Sequence, residues 1–411
     1  MPLCFLRTLA VLLTAFGSIL APAAHAQSKP QYGGSLEIGS VYVTLSALSF
    51  DPADWNWKLN HDTGSYLEQL FAADLSKAKR FGGPHPFYAD AYLPSDAIRG
   101  ELAESWQWKQ EPLRVEVRLR KGVMFPDKPG VMAARELTSE DVVFSYKRLA
   151  ASPKAQKNYF AYIDKVEAVD PYTVVFTFNS FHAEWDYRFG WGYYSPIYPK
   201  EMADAGAANW RNGVGSGPFQ LVDFVPGNSN TYAKNASYWG RETIDGAEYK
   251  LPFVDKFTYR TIKDEATFIA ALRTGKLDIL EAIRWQNVEE LKRSAPKLQW
   301  SKWLNMSGTF LALRVDTKPF DDIRVRRALN MAVNKQEIVS AYYNGNAELF
   351  AYPQHPDYGD YFEPLSTMPE SIKELFSYDP GKAKKLLAEA GYPNGFSFKV
   401  QVCSCNPDHM D

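Results

Sequence analysis

Apolar and polar positions alternate most cleanly between Arg114 and Leu119, where Val115, Val117 and Leu119 are separated by Glu116 and Arg118. A period of two places all three on one face and predicts a half-buried strand. After Thr138 the period changes: Val142, Val143, Tyr146 and Leu149 recur at helical spacing, and Thr138 with Asp141 three residues on supplies a cap. Asp170-Pro171 predicts a turn, and Tyr172, Val174, Phe176 and Phe178 form the apolar face of the next strand.

Further along, Asp264 opens a helix carrying Phe268, Ala271 and Leu272, Gly275 supplies a left-handed stop, and Leu277 to Leu280 is expected as a short strand. From Asp322, Val325, Ala328, Leu329, Ala332 and Val333 fall on one helical stripe, and Asn334 with Glu337 has capping-box spacing for a second helix. The fullest local agreement comes late. Asp379 is a cap, Pro380 a first-turn residue, Ala383, Leu386, Leu387 and Ala390 a stripe, and Gly391 a terminator, after which residues 396–403 are expected as a strand. Strands alternating with capped helices predict a mixed α/β protein. Two loop-rich stretches, 81–96 and 352–369, are dotted with Tyr and Phe and are expected as surface excursions or contacts between lobes.

Arg7, an apolar run from Leu9 to Leu20 and Ala24-His25-Ala26 have the order of a secretory signal, predicting cleavage before Gln27. The run is too short for a stable span, and Cys4 lies at the wrong end of it for a lipid anchor. About 385 residues would remain, more than one core usually organises, so at least two lobes are expected. A formal net charge of −2 with dispersed basic residues argues against nucleic acid or an anionic membrane as partner. Aromatic residues make up 15% of the chain, with 11 Trp, 24 Tyr and 25 Phe, more than packing alone requires; large stiff rings with polar handles suit a recognition surface. Cys403 and Cys405 are no disulfide framework, and His25, His61, His85, His182, His355 and His409 lack ligand spacing, so neither metal nor other cofactor is expected.

Five strings carry a resemblance. They are Leu102-Ala-Glu-Ser-Trp106 with Leu119-Arg-Lys-Gly-Val-Met-Phe125 and Leu137 to Arg148; Gly215-Ser-Gly-Pro-Phe219 with Asn235 to Gly240; Ala271 to Asp278; Lys318 to Leu329; and Tyr378 to Phe396. In this order they resemble the bacterial extracellular solute-binding proteins of family 5, the oligopeptide, dipeptide and nickel class. The departure is a longer insert between Phe125 and Leu137, with Pro126, Pro129 and Gly130, expected to change only a loop.

The resemblance implies an α/β fold of the periplasmic-binding-protein type, class II, with two lobes and an additional inserted domain. Behind the signal at 1–26, lobe I would comprise 27–71 and 179–302, the inserted domain 72–178, and an incomplete second lobe 303–411, since members of the family are longer. It further implies a periplasmic monomer that closes on a peptide or peptide-like solute, without catalysis, and delivers it to an ABC permease in the inner membrane. By analogy the cleft would draw on Trp55, Asn60 and Asp62 after the first strand, Tyr159, Phe160 and Tyr162 in the inserted domain, Trp191, Tyr193 and Tyr194 near the return, and Asn305 and Met306 at the crossing. For each of these, packing is at least as good an account. Two alternatives stay open. One is a secreted carbohydrate-active enzyme using carboxylates such as Glu104, Asp186 and Glu281, although no motif sets a pair at catalytic separation. The other is a nickel-chelate, haem or oligosaccharide ligand on the same scaffold.

Overall fold

The computed structural model describes residues 29–40, 49–54, 62–79, 82–85, 95–155, 157–192, 195–280, 283–302, 310–349 and 362–402. The expected signal segment, Cys403 and Cys405 and most of both loop-rich stretches lie outside these residues. In chain order the strands are β1 (Ser35–Ser40), β2 (Phe71–Ala73), β3 (Ile98–Gly100), β4 (Ala103–Lys109), β5 (Arg114–Leu119), β6 (Met124–Phe125), β7 (Arg135–Glu136), β8 (Ile163–Asp170) and β9 (Thr173–Phe178). They continue with β10 (Phe219–Val225), β11 (Ser229–Lys234), β12 (Arg241–Ile244), β13 (Ala247–Lys250), β14 (Lys256–Thr261) and β15 (Ile279–Leu280). The longer helices are α1 (Ser139–Ala150), α2 (Glu265–Arg273), α3 (Trp285–Ser294), α4 (Ile323–Met331), α5 (Glu370–Phe376) and α6 (Pro380–Glu389).

Two sheets dominate. The first has the order β10-β11-β14-β1-β15, and in it β1 runs parallel to β14, from Ser35 opposite Lys256 to Ser40 opposite Thr261, and parallel to β15. The chain therefore leaves this sheet after β1 and returns only at β10. Gly39 suits the crowded centre, where a Cβ would stand 2.6 Å from the Phe268 ring and 2.8 Å from Leu277. The second sheet, β4-β5-β9-β8, is antiparallel throughout. Its central strand β5 spans the predicted residues, and Val115, Val117 and Leu119 are buried as the alternation requires.

Helix α1 covers one face of this second sheet. The Asp141 carboxylate accepts from the Thr138 backbone amide at 2.9 Å, tying off the helix start. Val142, Val143 and Leu149 are buried, and the Tyr146 ring stands edge-on to Phe160 and Phe176. Phe176 also stacks on Phe189 with centroids 4.0 Å apart. Each such ring contributes about 1.5–3 kcal/mol by leaving water. The insert after Phe125 folds into a small hairpin, with Lys128 and Met132 exchanging backbone hydrogen bonds at 2.9 and 3.0 Å. Its return strand β7 presents Arg135, which forks onto Asp141 at 2.7 and 2.9 Å and onto Glu201 at 2.7 and 2.8 Å. The loop change is thus local, and it clamps the start of α1 to the short helix Lys200–Asp204.

Buried residues of both sheets belong to one continuous core running from Phe50 through Phe125 and Phe176 to Phe257. Past residue 310 the packing thins. Ala328, Met331 and Ala383 form a small separate cluster with Leu386 and Leu387 against it. Helix α6 has the predicted ends: Asp379 accepts from the Lys382 amide at 2.8 Å, and Gly391 takes φ +92°.

Three expectations are corrected here. The stripe begun at Asp322 stops at Met331 rather than Val333, which is 44% exposed, because Asn334 caps a new turn by accepting from the Glu337 amide at 3.2 Å. The strand expected over Leu277 to Leu280 shortens to β15. No hydrogen-bonded strand forms over the described part of 396–403, and Phe398, Val400 and Val402 stay exposed; an extended segment becomes a strand only where a neighbour takes its N–H and C=O groups. Among the described residues no helix is long and apolar enough to cross a membrane.

Candidate ligand-binding site

The C-terminal end of α1 gathers charged and polar side chains from distant parts of the chain. A helix C-terminus carries partial negative charge and favours cations, and Lys147 and Arg148 stand in its last turn. Arg148 forks onto the Asp51 carboxylate with both contacts at 2.5 Å, and it donates to the Tyr198 hydroxyl at 3.0 Å. Just beyond the helix, Ser152 Oγ donates to the Ala53 carbonyl at 2.6 Å and Lys154 Nζ to Asp54 Oδ1 at 3.0 Å. Asp51, Ala53, Asp54, Arg148, Ser152 and Lys154 line a cleft of about 330 Å³, at the lower end of small-ligand pockets. Burial raises the Asp54 carboxyl, but hydrogen bonds from Ser49 and Lys154 and the charges of Lys154 and Arg148 outweigh it, leaving the pKa below the usual range. Both cations hold carboxylate partners, so a charged guest would enter by exchanging ion pairs.

Past Lys154 the chain enters a wall of rings. Tyr162 is buried, stacks between Phe178 and His182 at 5.7 and 4.8 Å, and donates its hydroxyl to the Trp185 carbonyl at 2.9 Å. Phe160 is buried against Tyr146, and Tyr159 is half-buried beneath the Arg188 guanidinium at 4.0 Å. The same guanidinium lies 4.8 Å over Tyr187, whose ring meets Trp191 edge-on at 4.8 Å. Trp191 donates its indole N–H to Asp186 at 3.2 Å. Tyr159 and Tyr162 therefore meet segment 182–192, to which Trp191 itself belongs, whereas the ring of Phe160 packs on Tyr146 of α1.

Asp62 lies elsewhere. It is fully buried beside β11, with its carboxylate accepting from Asn230 Nδ2 at 2.9 Å and its carbonyl from the Tyr232 hydroxyl at 2.6 Å. Trp55, Asn60, Tyr193, Tyr194, Asn305 and Met306 fall outside the described residues, as does Glu281. Of the remaining carboxylates named for sugar cleavage, Glu104 is exposed on β4, while Asp186 is buried, which raises its pKa, and is held by Trp191. Among the described residues no cluster of His, Cys, Asp and Glu could hold a metal ion.

Sequence reasoning missed Asp51, Asp54, Arg148 and Lys154. Arg148 and Asp51 are 97 positions apart, and a lone Asp before Pro52 reads only as a turn.

A profile described as bacterial extracellular solute-binding proteins, family 5 middle, matches residues 97–411. The chain belongs to this family. Among its relatives in the family, Heme-binding protein A of Haemophilus influenzae is 31% identical over 76% of this chain, and Di/tripeptide-binding protein 1 of Pseudomonas aeruginosa is 28% identical over 85%. The chain spans 58% and 62% of the lengths of these two relatives. A solved family structure, an ABC transporter-associated periplasmic binding protein of Helicobacter pylori in complex with a peptide, superposes over 89% of this chain and 67% of its own with a TM-score of 0.68 at 26% identity. The fold is thus that of the family 5 periplasmic binding proteins, with mixed α/β construction as expected, and family members bind solutes.

Proposed function

We propose that this protein is the periplasmic binding component of an ABC importer, which captures a peptide or peptide-like solute by closing two lobes and presents it to an inner-membrane permease. The observation that carries this reading is the superposition on the peptide-bound Helicobacter pylori protein. The pairing of β1 with β14 and β15 supports a discontinuous first lobe over 27–71 and 179–302, interrupted by an inserted domain at 72–178 whose sheet is β4-β5-β9-β8. Residues 303–411 would begin the second lobe. The Arg7 to Ala26 segment supports secretion through a cleaved signal. Binding proceeds without bond chemistry: a guest touched by both lobes only in the closed state shifts the balance toward closure. The half-buried rings of Tyr159 and Trp191 and the charged cleft at Asp51 and Arg148 are the faces we put forward for contact, with Trp55, Asn60, Asp62, Phe160, Tyr162, Tyr193, Tyr194, Asn305 and Met306 as further candidates.

A second reading, haem as the guest, is favoured by the 31% identity to the Haemophilus influenzae protein. Mass spectrometry of solutes retained by the natively purified protein separates the two. Retained short peptides support the first reading, an absorbing porphyrin the second, and turnover of glycosides or peptides would remove both.

A further inference from the structure

Among the described residues, the half-buried arginines Arg114, Arg120, Arg135, Arg148, Arg284, Arg326 and Arg327 each donate to an oxygen at 3.1 Å or less. Arg188 is also half-buried, with its side chain 22% exposed, and among the described residues it donates to no oxygen. The carboxylate beside it is Glu184, at 4.0 Å too far for a hydrogen bond and itself 58% exposed. We propose that Arg188 is the anchor for a free carboxylate of the guest, an inference that rests on the solute-binding function argued above.

A guanidinium offers two kinds of surface. Its faces attract aromatic rings, while its edge carries N–H donors in a fork that matches a carboxylate. In Arg188 the ring contacts are made: the group lies 4.0 Å over the Tyr159 ring and 4.8 Å over Tyr187. The donors are unmet. Ring packing accounts for where the guanidinium lies, but donors drawn partly out of water without an acceptor destabilise the fold until an acceptor arrives.

The backbone fixes this arginine in place. It belongs to the π-helical turn Tyr187–Trp191, in which the Gly192 amide donates to the Tyr187 carbonyl at 2.8 Å. Turns of this kind are frequent at functional sites. Its neighbours are pinned in the core: Phe189 stacks on Phe176, and Gly190 passes where a Cβ would stand 2.3 Å from the Phe71 ring. A fork held on such a support loses little freedom when a guest binds.

Arg148 is placed differently. Its two contacts with Asp51, both at 2.5 Å, would have to break before it could take an anion. Arg188 exchanges only the long, solvent-screened contact with Glu184, since the other nearby carboxylate, Asp186, is engaged by the Trp191 indole at 3.2 Å. Both guests considered above carry the required group, a peptide at its C-terminus and haem on its propionates.

The test measures binding by the full chain of a mixed pool of short peptides with free C-terminal carboxylates, of the same pool as C-terminal amides, and of haem and its dimethyl ester. In whichever class binds, the free acid should bind at least about tenfold more tightly than its amide or ester, the gain expected of charge-assisted hydrogen bonds. Arg188→Gln should abolish that preference while leaving affinity for the amide or ester within about twofold. Arg188→Lys, which keeps the charge and loses the fork, should retain part of it. Glu184→Gln removes the competing carboxylate and should strengthen acid binding about twofold. Acid and neutral forms that bind the unaltered protein equally well overturn the proposal and leave the solute-binding function standing, a comparison that needs no variant to fold. An equal loss of both forms in Arg188→Gln also overturns it, by making the arginine a packing residue. Binding of neither class overturns both the proposal and the function it rests on.

Discussion

The inserted sheet and the region beyond residue 310 are built from equally clear local signals, yet they are packed very differently. In β5, β9 and α1 the apolar stripe of each element meets another stripe, and Val115, Val117, Val174 and Phe176 are all fully buried. In α4 and α6 the helices form as cleanly, but burial rests on Val325, Ala328, Met331 and Ala383, while Phe310, Val315, Val400 and Val402 face solvent. Helix caps and periodicity are therefore insufficient for stability; what differs is whether a second apolar surface arrives. Large exposed apolar area of this kind marks surfaces that other groups cover.

That comparison can be broken or sharpened by four substitutions. Phe176→Ala removes a ring held between Tyr146 and Phe189 and should cost about 3–5 kcal/mol in the main urea transition, with tryptophan fluorescence as the readout. Met331→Ala should cost about 2 kcal/mol, expressed as faster exchange and proteolysis confined to 320–390. If it lowers the main transition as Phe176→Ala does, the two regions unfold as one and the contrast drawn here fails. Asp51→Asn weakens the fork to Arg148 and should cost about 1–2 kcal/mol, because the pair is partly exposed and solvent screens it. Its loss should appear in the main transition, since α1 belongs to the large core. Asp379→Ala deletes the α6 cap and should cost about 1 kcal/mol, seen as exchange at the Lys382 amide and nowhere in the inserted sheet.

Much of the fold was legible in the sequence where one element's own pattern decided the outcome. β5, α1, α2 and α6 lie where alternation, caps and stop glycines put them. Errors occurred where a partner was needed: residues 396–402 have strand-like alternation but no paired neighbour, and Val333 continues a stripe that a following cap cuts short. Of the candidate site, the sequence offered the aromatic residues and not the charged ones. Tyr159, Tyr162 and Trp191 lie near one another around Arg188 and Trp185, whereas Asp51, Asp54, Arg148 and Lys154 carry no local signal because their meeting depends on a long return of the chain.

The amino-acid sequence by itself determined the family and the secondary elements with self-contained caps and periods. Only the tertiary structure decided that Arg148 meets Asp51, that Glu68 is buried against Trp239, and which stripes are covered. The physical reason is range. Hydrogen bonds within a helix turn connect residues a few positions apart, whereas desolvation and ion pairing depend on what the folded chain brings alongside.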